Sequence, residues 1–275
     1  MNDKMLYGFL IIGMLLIICP SCAERTERPK LSQQEYSKEL PGQTSEPLEY
    51  VCVHTITPQS ARSKAILARK TPSLIREFQR ASFTLGSPIF IRIFKESKEL
   101  ELWVKRDKTF SLFKTYPIAY FSGTLGPKSR EGDKQAPEGF YYVSPSRMNP
   151  RSQFHLSFNI GYPNLYDQQH QQTGSAIMVH GDTVSIGCFA MTDRRIEEIY
   201  TIADHALNSG QPFFRVHIFP FRMTDENMKR YATSPHLEFW NNLQEGYEFF
   251  EKVHRPPNVT VEHQQYTFEY EQHEA

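Results

Sequence analysis

The apolar positions along this chain of 275 residues change period several times, and each change marks a boundary. Met5 to Cys19 is one apolar run, closed by Pro20 and followed by small residues. Residues 24–50 are polar, with Pro, Ser, Gln and Glu, and they bury too little apolar surface to offset the entropy of ordering. They read as a flexible tether with a coil's reach of roughly 30 Å. Thr71-Pro72 offers an N-cap and a first-turn proline, and Leu74, Ile75, Phe78 and Ala81 follow at helical spacing, so a helix is expected to open there. From Pro88 the period shortens. IFIRIFKE, LELWVKR and FSLFKTYPIAYF are β-branched and aromatic with partial alternation, and predict a three-stranded meander. Positions 122–139 have Gly, Pro and charges without a period, so a long loop is expected, functional or disordered. GFYYVSP, FHLSFNIGYP and SAIMVHG are three more strand candidates. Ile196, Ile199, Ile202, Ala206 and Leu207 then share a helical face, with Thr192 or Asp193 to cap it and Gly210 to stop it. FFRVHIFPF is a further strand, Ser234-Pro235 opens a last helix, and the tail from Arg255 reads as loose or extended.

Composition narrows the function. The formal net charge is zero and no long basic run occurs, so the electrostatic footprint of a nucleic-acid binder is missing. No HExxH or paired CxxC appears, and His180 with Cys188 would be too few ligands for zinc, so neither metal nor cofactor is expected. The N-terminal run has the layout of an export signal over residues 1–23. Ser21 and Ala23 suit ordinary cleavage, Ser21-Cys22 resembles a bacterial lipoprotein box, and an uncleaved anchor is the third reading. All three export the rest of the chain, giving a periplasmic protein that meets the membrane through this segment. Of the four cysteines, Cys19 and Cys22 belong to the export segment, Cys188 reads as a free thiol, and Cys52 is undecided.

Candidate chemistry concentrates in VHGDTVSIGCFAM, residues 179–191. A thiol is a weak nucleophile until a base takes its proton, and His180 is such a base if the fold brings it to Cys188. Gly181 and Gly187 allow tight turns and a close substrate approach. Gly187, directly before the cysteine, leaves backbone N–H groups to meet a developing oxyanion.

This motif resembles the L,D-transpeptidases with the YkuD-type catalytic domain, whose signature is His-Gly followed by Ser or Thr, His, Gly, Cys. His180-Gly181, Ser185, Gly187 and Cys188 match it. Ala136-Pro137-Glu138-Gly139-Phe140-Tyr141 matches the turn that enters a strand of that domain. Ile186 replaces the second His, and Phe189-Ala190-Met191 replaces an apolar residue followed by Arg. With FSGTLGPK, HLSFNIGYPN, EEIY and HIFPFRM, these departures resemble the YafK or DpaA type. The resemblance implies a mainly β domain with α (α+β), mixed β-sheets with flanking helices, over 51–275 with its core at about 89–223. It also implies that Cys188 attacks meso-diaminopimelate in a peptidoglycan stem, with His180 as general base and then acid. Water as acceptor of the acyl group makes a hydrolase that releases wall-bound lipoprotein by cutting the diaminopimelate–lysine link, as the named branch implies. An amine acceptor makes a transpeptidase, and a silent wall-binding module is the third reading.

Supporting roles are open at this level. Ser185 is placed to orient His180, to meet the oxyanion or to hold a turn, and Asp182 to orient the imidazole or to face solvent. Stem peptides carry carboxylates, so Arg222 after the strand HIFPF, and Lys128, Arg130 and Lys134 in the long loop, are candidate substrate-binding cations. His217 alternates with apolar residues and reads first as a core histidine.

Overall fold

The computed structural model describes residues 56–269. The expected export segment, the tether and Cys52 lie outside the described residues. The first helix, α1 (Ala61–Arg80), starts well before Thr71. Ser60 Oγ accepts from the Ser63 N–H at 3.1 Å and Ser63 Oγ accepts from the Ser60 N–H at 2.9 Å, a reciprocal cap. Pro72 therefore lies inside the helix, not at its opening. An interior proline costs about 3 kcal/mol, and burial of Ile66, Leu74 and Phe78 on one face offsets it.

The predicted meander forms as β1 (Ile89–Phe94), β2 (Glu99–Arg106) and β3 (Thr109–Pro117), all antiparallel. Then come β4 (Gly139–Val143), β5 (Met148–Asn149), β6 (Ser157–Asn159), α2 (Leu165–Gln169), β7 (Met178–His180) and β8 (Phe189–Ala190). The chain ends with α3 (Asp193–Asn208), β9 (Phe214–Phe219), α4 (Asp225–Arg230), α5 (Leu237–Val253), β10 (Asn258–Glu262) and β11 (Gln265–Glu269). The tail is thus a hairpin, not a loose segment.

Strand order in the larger sheet is β3-β2-β1-β9-β4, with β1 and β9 parallel. A smaller sheet runs β5-β6-β7-β8, with β7 and β8 parallel. The fold is α+β, with mixed sheets and flanking helices. All six residues of β1 are buried because both faces of the larger sheet are covered. Ile89, Ile91 and Ile93 join the core that includes residues of α1, α3 and the smaller sheet, while Phe94 joins α5 and the β10–β11 hairpin on the other face.

The long loop between β3 and β4 is pinned from within. Lys95 Nζ donates to the carbonyls of Gly126 (2.8 Å) and Ala136 (2.9 Å) and to Glu138 Oε1 (2.9 Å). Glu138 Oε1 also accepts from the Gly126 N–H, and Oε2 from Trp240 Nε1 at 2.8 Å. Both members of the ion pair are fully buried, and removing one partner would strand a buried charge at a cost of about 3–5 kcal/mol. Farther back, Tyr120 bridges to Ala190, which lays the start of the loop beside β8.

Candidate active site

The two strands of the smaller sheet that carry the motif set its geometry. His180 ends β7 and pairs with Ala190 of β8 in parallel register. Paired residues point to the same face, and Cys188 stands two residues before Ala190, just ahead of β8.

Gly181 is required by crowding. A Cβ there would come within 2.5 Å of Asp193 Oδ1 and 2.8 Å of the Phe154 carbonyl. The Gly181 N–H donates to the carbonyls of Phe154 (3.0 Å) and Leu156 (3.1 Å), clamping the end of β7 against the segment before β6. Gly187 holds φ +132°, a region closed to other side chains, and a Cβ there would meet the Gln135 carbonyl at 3.4 Å.

His180 is 2 % exposed and packs against the Phe154 ring at 4.7 Å. Its Nδ1 lies 2.5 Å from the Gly181 carbonyl oxygen. A carbonyl only accepts, so Nδ1 carries the proton and Nε2 is left as the base. Burial pulls the imidazole below the ordinary histidine range, against the Gly181 carbonyl and the Asp182 charge, which raise it. The ring is therefore neutral at neutral pH.

Cys188 is a free, partly buried cysteine. Its sulfur accepts from the Met178 N–H at 3.3 Å and the thiol donates to the Ala176 carbonyl at 3.8 Å. Among the described residues these are its hydrogen-bond partners, and the imidazole is not one of them. Burial pushes the thiol above its ordinary value, while the Met178 N–H and the Lys128 ammonium work in the opposite direction. Burial thus favours the uncharged form of each of these two side chains.

Ser185 braces the loop. Its Oγ donates to the Cys188 carbonyl at 2.6 Å and accepts from the Gly187 N–H at 3.2 Å. It holds a turn and bonds neither to His180 nor to the sulfur. The Gly187 N–H is thereby engaged, and Cys188's own N–H has no acceptor among the described residues. Asp182 is also tied locally, its Oδ1 accepting from the Thr183 N–H. Val184 and Ile186 stand exposed in the loop, Ile186 at 79 %.

The candidate substrate-binding cations are dispersed. Arg222 bonds Glu99 Oε2 (2.9 Å) and Glu101 Oε1 (2.8 Å) and lies over the Phe94 ring, so the structure engages it with β1 and β2. Arg130 and Lys134 are exposed in the long loop. Lys128 in the same loop is 4 % exposed and paired with Asp133. His217 lies in the core, both ring nitrogens buried and without partners.

The description "L,D-transpeptidase catalytic domain", that of the YkuD family, fits residues 89–218. The protein named "Putative L,D-transpeptidase YafK" from Escherichia coli strain K12 is 48% identical over 177 residues, covering 64% of this chain and 72% of that protein. The protein of that name from Escherichia coli O157:H7 matches to the same extent. Among solved structures, the K307A mutant of the helical cell shape determining protein Pgp2 from Campylobacter jejuni has TM-score 0.40 and 18% identity, over 70% of this chain and 66% of that one. Bd1075 of Bdellovibrio bacteriovorus has TM-score 0.37 and 23% identity, over 60% and 63%.

Proposed function

The chain belongs to the L,D-transpeptidase family of cell-wall enzymes, and from that premise we propose that it cleaves peptidoglycan stem peptides at meso-diaminopimelate through a thioester on Cys188. The observation that carries this reading is the 2.5 Å contact of His180 Nδ1 with the Gly181 carbonyl, which leaves Nε2 as the base at the end of β7, next to the strand that Cys188 leads into. Nε2 takes the thiol proton as the sulfur adds to the carbonyl carbon. The carbonyl electrons move to oxygen, which the Cys188 N–H is free to meet. The imidazolium then gives its proton to the leaving amine, the C–N bond breaks, and the thioester remains. In the second half water loses a proton to Nε2 as its oxygen adds to the thioester. The sulfur leaves and recovers that proton.

Water is the preferred acceptor in this proposal, so the enzyme releases a wall-bound lipoprotein by hydrolysing the diaminopimelate–lysine link. The motif set SIGCFAM, HLSFNIGYPN and HIFPFRM supports this through its resemblance to the YafK or DpaA type. The second reading, an amine acceptor, is favoured by the word transpeptidase in the name of the relative with 48% identity. Both readings place the catalytic domain outside the cytoplasm, where the N-terminal segment would export it.

The test uses the purified protein, its Cys188→Ala variant and sacculi that still carry bound lipoprotein. Mass spectrometry of the muropeptides is expected to show loss of lysine-bearing species and gain of free tripeptides only with Cys188 present. New diaminopimelate–diaminopimelate crosslinks with release of D-alanine would mean an amine acceptor. No change with either protein would overturn both.

A further inference from the structure

A buried lysine joins the long loop to the segment that precedes β7. Lys128 Nζ bonds Asp133 Oδ1 at 2.5 Å and the Arg130 carbonyl at 2.8 Å, and faces the Tyr162 ring at 5.8 Å. Its stem lies against Gly174, where a Cβ would come within 3.0 Å of Lys128 Cε. Two residues later the Ala176 carbonyl accepts from the Cys188 thiol. Tyr162 Oη ties the two segments, donating to the carbonyls of Lys128 and Thr173, each at 3.3 Å. Past Asp133 the same loop brings the Gln135 carbonyl against Gly187. The loop thus touches the segment before β7 through Lys128 and the turn before Cys188 through Gln135.

The charge balance there is unusual. Lys128 is the cation whose field reaches the sulfur and favours its charged form. One carboxylate faces that lysine. Asp133 also accepts from the N–H groups of Ser129, Arg130 and Gln135. Burial pushes its carboxyl up, but the Arg130 N–H, the Lys128 ammonium and the other two N–H groups outweigh this and hold it at about 2. Arg130, Glu131 and Lys134 of the same loop stand exposed, and His180 ends β7 with Asp182 in the following turn. Tyr162 stays a neutral phenol, raised by burial and by the charges of Asp167 and Asp133.

We propose that Lys128 and Asp133 are positioning residues for Cys188, the buried ammonium supporting negative charge on the sulfur and Asp133 metering how much of that field the sulfur feels. The inference rests on Cys188 as the reactive group. It assigns the pair a part in the attack and in the departure of sulfur from the thioester, the two moments when sulfur carries charge. It also explains why Lys128 is sealed under the loop while Arg130 and Lys134 stand in solvent.

The test reads the iodoacetamide alkylation of Cys188 against pH, resolved to its own peptide by mass spectrometry. Lys128→Met and Asp133→Asn break the same ion pair, so a purely structural role moves both in one direction. The proposal requires opposite signs. Lys128→Met raises the pH midpoint and slows alkylation at neutral pH about threefold, whereas Asp133→Asn lowers the midpoint and speeds it by about as much. Lys128→Arg keeps the midpoint near that of the parent. The plateau rate at high pH separates charge from exposure, because a loosened loop raises the plateau without moving the midpoint. If Lys128→Met does not fold, Asp133→Asn still decides. Shifts of the same sign, or none, overturn the proposal. Opposite shifts in a protein whose action on sacculi survives Cys188→Ala would uphold the electrostatics and reject the functional reading.

Discussion

His180 and His217 sit in two regions that treat the same side chain in opposite ways. Both are nearly sealed from solvent, at 2 % and 1 % exposure, and burial pulls both below the ordinary histidine range. His180 closes a three-residue strand of the smaller sheet, where one nitrogen is held by a carbonyl and the other is free to act. His217 lies in β9, inside the five-stranded sheet, with Phe90 and Phe140 edge-on at 4.6 and 4.7 Å. Neither of its nitrogens has a protein partner, and the Arg215 and Arg92 charges depress it further. Burial makes a histidine neutral, but only a partner on one nitrogen makes it a directed base.

The largest break in this comparison is His180→Gln. Turnover of the sacculus substrate should fall about a hundred- to ten-thousand-fold, with the melting temperature little changed. His217→Leu should do the reverse, leaving turnover intact and stability unchanged or higher, because it removes an unpartnered buried polar group whose cost is about 1–3 kcal/mol. Chemical denaturation and the muropeptide assay read the two effects separately.

Acidity separates the histidines further. Below the unfolded-state pKa of about 6.5 the unfolded chain takes a proton that folded His217 refuses. Its contribution to stability is therefore complete above that pH and is lost as pH falls toward the folded value. Denaturation midpoints across this window should decline less in His217→Leu than in the parent. With His180 as the proposed base, the acid limb of activity should lie below the ordinary histidine pKa, since that base must stay unprotonated. An acid limb above that value would show that His180 is not the base. The smallest expected effect is that of Ser185→Ala, which removes the 2.6 Å brace on the Cys188 carbonyl and should cut turnover roughly tenfold without shifting the acid limb.

Legibility followed the range of the interaction. The meander and α3 could be read because their signals are local, alternation in one case and helical spacing with a glycine stop in the other. Thr71-Pro72 misled because a local rule for helix starts was overridden by the Ser60 cap and by packing. The terminal hairpin escaped because its turn, His263-Gln264, takes positive φ at both residues without the Asn-Gly or Asp-Gly that usually announces it. In the site, the His-Gly and Gly-Cys pairs were visible. The reason for Gly181 was not, since the atoms that forbid a side chain there belong to residues 154, 155 and 193. Arg222 looked available because its carboxylates are more than a hundred positions away, and no pattern in sequence joins them.

The Lys95–Glu138 clasp gives the protein an optical gauge. The chain has two tryptophans, and the indole N–H of one, Trp240, donates to the buried Glu138 carboxylate that anchors the long loop, whose Gln135 carbonyl lies against Gly187. Indole emission responds to charge and to water at the ring. Any displacement of that loop will therefore register as a change in Trp240 fluorescence, and the gauge needs no added dye.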